Sequence, residues 1–170
     1  MKPALAVLLC SYVLTGCAAE SPADNATSIV DDAVPEKRCG ESRDAYFSAY
    51  TLEQLQAYAD CTILIGHFQE DSVSELQDLA ALKNVTKVEG NINIFRSPGF
   101  LTLHGLENLE VVDGNLYIHL NPNLESLRGL VKLQTVTGNM MIEYNDVVPS
   151  TDLEWLGNHV SVGGIKTIAP

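Results

Sequence analysis

The sequence predicts a mainly β fold: a leucine-rich-like solenoid with coils of about 24 residues and one N-terminal capping helix. The first observation is a glycine that returns every 24 residues, at Gly66, Gly90, Gly114 and Gly138. The second is that the last three of these glycines are each followed by Asn and a short alternation of apolar residues. The third is that apolar residues align in columns when each repeat is counted from its glycine.

The columns have two different spacings. The column two residues before the glycine contains Leu64, Val88, Val112 and Val136. The column two residues after it contains Phe68, Ile92, Leu116 and Met140. The column four residues after it contains Ile94, Ile118 and Ile142. After the glycine the period is two, which indicates a strand, whereas before it apolar residues recur every three positions, which indicates a winding coil with 3₁₀-like turns. We expect the strands of successive coils to pair in parallel into a continuous sheet. The alternative, an all-helical repeat, is disfavoured by the β-rich Gly-Asn segments.

The glycine and the asparagine have separate predicted roles. Glycine allows a positive φ or a close approach of two backbones at the corner of each coil. The asparagine that follows it is placed to hydrogen-bond the backbone of the next coil. A last, irregular coil fits around Gly164 if two residues are inserted before it.

Residues 1–16 are interpreted as a signal peptide. Lys2 precedes an apolar run over residues 4–14 that is too short for a permanent membrane span. The tetrapeptide that ends at Cys17 (Leu-Thr-Gly-Cys) resembles the lipobox of bacterial lipoproteins, which implies cleavage before Cys17 and lipidation of its thiol. The alternative is an ordinary secretory signal in which Cys17 is incidental.

The lipobox resemblance also implies a location. The protein would be lipid-anchored in the bacterial cell envelope and would face the periplasm or the cell exterior. Ala18, rather than Asp, after the cysteine favours the outer over the inner membrane. Acyl chains on Cys17 would supply a stable membrane anchor.

The predicted domains after the signal peptide are a disordered acidic tether over residues 17–38 and a folded domain over residues 39–170. The tether consists mainly of small and polar residues and contains few large apolar ones. The whole chain carries a formal net charge of −12. This charge argues against nucleic acid and anionic membrane surfaces as partners and would favour a cationic one.

Cys39 and Cys61 are the two cysteines that remain after Cys17. An even pair in an exported chain indicates a disulfide. Two free thiols are the alternative, and a zinc site is disfavoured because no His or third Cys lies at ligand spacing.

One helix is predicted between these cysteines, over residues 51–60. Thr51 followed by Gln54 is a capping-box pattern. Leu52, Leu55 and Ala59, with Tyr58 beside them, form one apolar side. Because the end of a repeat array exposes core and unpaired backbone, we expect this helix to cap the first coil.

These features together resemble the receptor L domain family, whose members occur as paired modules in insulin and epidermal growth factor receptors. The family pattern is a Cys, a short helix, a second Cys that opens a strand, and repeated Gly-Asn-Leu-x-Ile strands. The closest single stretch spans residues 106–118, and the resemblance covers about residues 39–168. It implies a right-handed β-helix with a sheet face for protein or glycan binding. Receptor signalling is not implied, because there is one module and no kinase follows.

The sequence contains no catalytic motif, no residues at metal-ligand spacing and no phosphate-binding loop. His67, His104, His119 and His159 fall in different coils. Carboxylates that cluster in sequence are interpreted as a solvated face rather than as paired acids; they are Asp71, Glu75 and Asp78, and Glu107, Glu110 and Asp113. We therefore expect no enzyme activity, no cofactor and no metal.

The candidate binding site is the outer face of the predicted sheet. Residues three and five positions after each glycine point away from the core, which brings together Phe95, Tyr117, His119 and Met141. An exposed aromatic and methionine patch is a plausible binding surface. The alternatives are ordinary β-propensity on a wet face, or a face covered by the N-terminal tail or by self-association.

Three functions follow. The first is a non-catalytic binding or adhesion module in the cell envelope that presents this face to a protein or a glycan. The second is a structural envelope protein that self-associates, because the final coil is weakly capped near Ile168. The third is an enzyme with an unrecognised carboxylate site.

Overall fold

The computed structural model describes residues 35–170, and within them the fold is two six-stranded sheets in which every paired strand is parallel. Sheet 1 contains β1 (Arg38–Cys39), β3 (Ile63–Ile65), β5 (Lys87–Glu89), β7 (Val111–Val112), β9 (Thr135–Val136) and β11 (Ser161–Val162), in that order. Sheet 2 contains β2 (Tyr46–Phe47), β4 (His67–Asp71), β6 (Ile92–Phe95), β8 (Leu116–His119), β10 (Met140–Glu143) and β12 (Lys166–Ile168), again in chain order.

Each coil contributes one strand to each sheet, as in a solenoid. The pairing of β6 with β8 aligns Ile92 with Leu116 and Ile94 with Ile118, so equivalent repeat positions lie side by side. The mainly β, parallel prediction is confirmed, and so are the 3₁₀ turns, at Ala80–Leu82 and Arg128–Leu130. The predicted continuous sheet is sheet 2, and sheet 1 was not predicted. The strands of sheet 1 have only two or three residues, too few to show a period of two.

The predicted columns form the core. Ile92, Leu116 and Met140 are at most 1% exposed, and Val88 and Val112 behave in the same way on the strands of sheet 1. Burying one such side chain fully contributes about 1.5–3 kcal/mol. Burial of the repeated columns therefore contributes to the cohesion between coils.

Glycine is required where the coils approach most closely. A Cβ on Gly114 would collide with the carbonyl oxygen of Gly90, and a Cβ on Gly90 would collide with that of Gly66. Gly66 also has a φ of 115°, in the left-handed region. Both predicted reasons for glycine therefore operate.

An asparagine ladder runs beside the glycines, as expected. The Oδ1 atom of Asn91 accepts a hydrogen bond from the Asn115 backbone N–H at 2.7 Å, and Asn115 accepts from Asn139 at the same distance. Asn139 then accepts from the N–H of Ile165 at 2.8 Å. One coil before Asn91, the equivalent residue is His67, whose Nδ1 accepts a hydrogen bond from the N–H of Asn91 at 3.0 Å.

A second ladder is fully buried and was not predicted. The Oδ1 atom of Asn121 accepts from the Ser97 N–H, and the Oδ1 atom of Asn145 accepts from the Asn121 N–H, both at 3.1 Å. Ser97, Asn121 and Asn145 are 0% exposed. Their side chains satisfy backbone groups that the turn after each strand of sheet 2 would otherwise leave unpaired in the core.

The predicted helix is present but shorter, as α1 (Leu52–Gln56), with turns after it. Its capping box between Thr51 and Gln54 is confirmed. Leu55 is buried, but Leu52 is 54% exposed and does not belong to the apolar side. Leu55 lies 24 residues before the buried Leu79, so it fills the same core column in the first coil.

A second helix, α2 (Ser150–His159), was not predicted. Its N-cap is Pro149, which makes no capping side-chain bond, so the usual start signal is missing. Leu153 and Leu156 are buried at the predicted column positions of the last coil. The carboxylate of Asp152 ties the helix to the preceding coil, since it accepts from the Leu127 N–H at 3.1 Å.

The Cys39–Cys61 disulfide is present and joins β1 to the residues just before β3. The disulfide excludes the two alternatives for these cysteines, which were free thiols and a zinc site. β1 begins at Arg38, one residue before the predicted domain boundary. The signal peptide over residues 1–16, lipidation at Cys17 and most of the 17–38 tether lie outside the described residues. Among the helices of residues 35–170, none has the length and apolar character needed to cross a membrane.

Candidate functional site

The outer face of sheet 2 carries all four predicted site residues. Tyr117 pairs in register with Met141, and Phe95 pairs with His119. Met141 is 37% exposed, and the other three are partly exposed. Neighbouring strands lie about 4.8 Å apart, so the four side chains form one contiguous patch.

The patch includes a stacked row that runs across the coils. The rings of Phe95 and His119 are parallel within 3°, with centroids 5.1 Å apart. Tyr144 meets His119 edge-on at 5.0 Å. At the other end, the Cζ of Arg96 lies 4.5 Å from the Phe95 centroid, and its Nη2 lies 3.4 Å from the Asp71 carboxylate. We call Arg96, Phe95, His119 and Tyr144 the stacked row.

Arg96 and Tyr144 were missed by sequence reasoning. They occupy the sixth position after the glycine, where the strand has ended and alternation no longer predicts direction. This position has positive φ in four successive coils, at Ser72, Arg96, Leu120 and Tyr144. A column of non-glycine residues just beyond each strand was visible in the sequence, but nothing in it indicated the left-handed backbone.

Tyr117 and Met141 form a second part of the patch, beside the stacked row. Among residues 35–170, Tyr117 takes part in no aromatic pair. Its ring is therefore not occupied by stacking. Asn93, its register partner on β6, has a buried Oδ1 that finds no hydrogen-bond partner in the described part of the chain.

His119 can offer a hydrogen bond from this face. Its Nδ1 is buried without a partner among the described residues. An unpaired acceptor is less costly to bury than an unpaired N–H, so the neutral ring is expected to carry its proton on Nε2. The row would then present a donor to a ligand.

The outer face of sheet 1 is different in character. Its outward positions contain no aromatic residue; they are Ile63, Lys87, Val111, Thr135 and Ser161, and Ile65, Glu89, Asp113 and Thr137.

The charges on that face are mutually compensated. Arg38 contacts Glu89 at 2.7 Å, and Arg43 contacts Asp113 at 2.7 Å. The hydrogen bond from Arg38 lowers the pKa of Glu89, and the hydrogen bond to Asp113 raises the pKa of Arg43. The face has the features of a solvated scaffold.

The other acidic and histidine candidates do not assemble into a site. No group of three or more His, Cys, Asp or Glu side chains within residues 35–170 is placed to hold a metal ion. The closest approach is His104 with Glu107, at 2.7 Å, where hydrogen bonding to the carboxylate raises the pKa of the histidine. Glu107 also accepts from the N–H of Gly105 at 2.8 Å, which identifies it as a turn-stabilising residue.

Glu70 is a buried carboxyl that sequence reasoning did not single out. It occupies the column that contains Ile94, Ile118 and Ile142 in later coils and is 0% exposed. Its Oε1 accepts from the N–H of Ala49 at 2.7 Å, while Oε2 has no partner among residues 35–170. Burial raises its pKa to about 7. Because it faces the core, it is not part of the binding patch.

An open groove of about 520 Å³ lies in the last coil between α2 and β12. Leu153, Gly157 and Ile168 line it together with polar side chains. Lys166 takes the place of Met140 in its core column and donates from Nζ to the carbonyls of Gly157 at 2.8 Å and Val160 at 2.7 Å. This end of the core is thus closed by a charged side chain.

Comparison with known proteins finds one family. The family model described as Receptor L domain matches residues 60–156, which run from just before β3 into α2. No curated protein matches the chain. The matched residues include the whole patch on sheet 2.

Proposed function

Since the chain belongs to the receptor L domain family, we propose that it is a non-catalytic binding or adhesion module that presents the outer face of sheet 2 to a protein or glycan. The observation that carries this proposal is the contrast between the two sheets. One outer face holds the stacked row with Tyr117 and Met141, and the other holds compensated charges.

The stacked row is suited to recognition because it is already ordered. Binding energy concentrates in a few aromatic and arginine side chains that lie in packed surroundings. Side chains that must first be immobilised each cost about 0.5–1.5 kcal/mol on binding. Phe95 and His119 are held in place by their neighbours, so this cost is small.

The test compares matched variants of the full chain, immobilised and screened against envelope proteins, host proteins and a glycan array. Tyr117→Ala should weaken capture about tenfold or more, because it removes the unstacked ring at the centre of the patch. Val111→Ala, on the outer face of sheet 1, is the control and should leave capture unchanged. Equal capture by the wild-type protein and Tyr117→Ala would contradict the proposal, as would an absence of any captured ligand.

We also propose a setting for the module. The coils form a right-handed β-helix, and the N-terminal lipobox anchors the protein through Cys17 to the bacterial cell envelope, with the outer membrane favoured. Mass spectrometry of the membrane-extracted protein should find a diacylglyceryl group on Cys17 and no residues before it. A native chain that begins elsewhere and carries no lipid would overturn this location.

Self-association is a second candidate, supported by the edge of sheet 2. β12 is the last strand of that sheet, and the preceding Ile165 is 71% exposed. Lys166 at the same edge opposes strand addition, as charged side chains on edge strands do. Sedimentation of the full chain should show a mass that rises with concentration and falls with Ile165→Lys; a constant mass would remove this candidate.

A further inference from the structure

The basic side chains of the described residues are almost all engaged within the molecule. Residues 35–170 contain eighteen carboxylates and nine lysines or arginines. Six of the nine make ion pairs with carboxylates; they are Lys37, Arg38, Arg43, Lys87, Arg96 and Arg128. Lys132 binds Asn108, and Lys166 binds carbonyls of the last coil. The molecule therefore has a large surplus of carboxylates without internal cations.

One of these carboxylates lies on the patch. Glu143 projects from the outer face of sheet 2, beside His119 in register and two residues after Met141. It is partly buried and forms no ion pair within residues 35–170. A partly desolvated carboxylate next to aromatic rings interacts strongly with a cation.

The two ends of the stacked row differ by one component. At the first end, the Arg96 guanidinium lies over the Phe95 ring and beside the Asp71 carboxylate. At the second end, the Tyr144 ring stands in the column of Arg96, and the neighbouring Glu143 carboxylate stands in the column of Asp71 and Phe95. None of the described residues supplies a cation there. The molecule thus uses a cation, a ring and a carboxylate together at one end and has only the ring and the carboxylate at the other.

The surroundings of Glu143 also fit the stem of a long basic side chain. Tyr144 is 56% exposed and Met141 is 37% exposed. Lysine and arginine bury their methylene groups on such apolar surface while the charged head remains at a polar group. The ring adds a cation–π attraction of about 0.5–1 kcal/mol at an exposed site.

We propose that this face binds a basic polypeptide segment, one of whose lysine or arginine side chains is received by Glu143 between Tyr144 and Met141. This inference rests on the proposed function and names the class of its partner. Charge complementarity favours a polypeptide cation over a glycan, since the face offers a carboxylate and the chain is strongly acidic.

The experiment titrates the full chain with three fluorescent octapeptides of the same backbone, in which Lys, Gln or Glu alternates with Ser. The Lys peptide should bind the wild-type protein most tightly. Glu143→Gln should weaken this binding about tenfold, as expected for the loss of one partly desolvated charge pair. Tyr144→Ala should weaken it about threefold, through the lost cation–π contact.

Glu110→Gln is the matched control. Glu110 is an exposed carboxylate on the sheet 1 side that makes no ion pair with any described residue, and its substitution changes the net charge by the same amount. It should reduce binding less than about twofold, because it acts only through screened long-range attraction. Equal losses for Glu110→Gln and Glu143→Gln would overturn the proposal by showing non-specific attraction to an acidic protein. Unchanged melting temperatures would confirm that both variants fold.

The outcomes also separate this inference from the proposed function. If the Gln or Glu peptide, or a glycan, binds with a loss in Tyr117→Ala while the Lys peptide does not bind, the inference is overturned and the binding function stands. If no probe binds and Tyr117→Ala changes nothing in the capture screens, both are overturned.

Discussion

At the scale of single residues, Glu70 is the side chain least compatible with its position. It stands in an aliphatic column, receives one hydrogen bond from Ala49 and leaves one oxygen unpaired in the core. Burial favours the neutral form and raises its pKa from 4.5 to about 7. The folded state therefore binds a proton more tightly than the unfolded chain does.

This pKa shift makes the stability depend on pH in a defined direction. Below about pH 4.5 the carboxyl is neutral in both states and costs nothing; between 4.5 and 7 the folded state loses stability as pH rises. By about pH 7 and above, the penalty is on the order of 2–3 kcal/mol. Glu70→Gln keeps an acceptor for Ala49 and removes the charge, so it should be more stable than the wild-type protein at pH 8.

The measurement is urea unfolding of both proteins from pH 4 to pH 8. The difference between them isolates Glu70 from the other titrating groups. It should grow with pH across the window from about 4.5 to 7. A difference that is flat in pH would show that Glu70 titrates in the folded protein as it does in the unfolded chain.

At the scale of elements, the buried ladder should contribute more to stability than the exposed asparagines nearby. Asn121 accepts from the Ser97 N–H and donates to the Ile94 carbonyl, both at 3.1 Å. Asn121→Ala would leave both groups unpaired in the core, at a cost of about 2–4 kcal/mol. Asn123→Ala loses one exposed bond to the Pro98 carbonyl and should cost less than about 1 kcal/mol. Chemical denaturation of the two variants checks this, and similar losses would contradict it.

The glycines provide a second comparison between elements. Gly114→Ala would force a Cβ against the Gly90 carbonyl oxygen, so we expect a loss of at least about 2 kcal/mol. Gly157 lies inside α2, where a Cβ would meet only the Ile168 Cδ1, at 3.3 Å. Gly157→Ala should therefore be neutral or should stabilise by about 0.5–1 kcal/mol. Thermal unfolding measures both, and equal destabilisation would show that the glycine column is not set by backbone contact.

At the scale of the whole molecule, coils that contact only their neighbours should lose stability locally. The Cys39–Cys61 bridge holds the first coil. Phe47 of this coil packs on Phe68 of the second coil, with 5.4 Å between the ring centroids. Closing a loop of this length is worth about 3 kcal/mol in the chain-entropy model. Its reduction should therefore release the first coil before the others.

Hydrogen exchange of the full chain, oxidised and reduced, tests this expectation. Amides of β2 and α1 should exchange much faster after reduction, while those of β8 and β10 keep their protection. Alkylation of the reduced thiols prevents reoxidation during the measurement. Equal acceleration in all coils would mean that the molecule unfolds as one unit.

How much the sequence revealed depended on how often a feature repeats. The core columns and the asparagine ladder beside the glycines could be predicted because each coil repeats the same contact. Sheet 1 could not, because Val111–Val112 is too short to show a period. α2 lacks a capping signal, and Tyr144 reaches the patch through a left-handed backbone that no local pattern indicated. Sheet 1, α2 and the position of Tyr144 therefore needed the structure.

The asparagine ladder has a consequence for how the length of such a chain can change. Each asparagine both donates to the previous coil and accepts from the next, so no rung is specific to its place. A second copy of residues 91–114 inserted after Gly114 would meet a matching acceptor in the previous coil and a matching donor in the next coil. Inserting a single residue would instead reverse the faces of the strand. Growth by tandem duplication of whole coils is thus the insertion that leaves every rung intact, and it would widen the sheet by one strand each time.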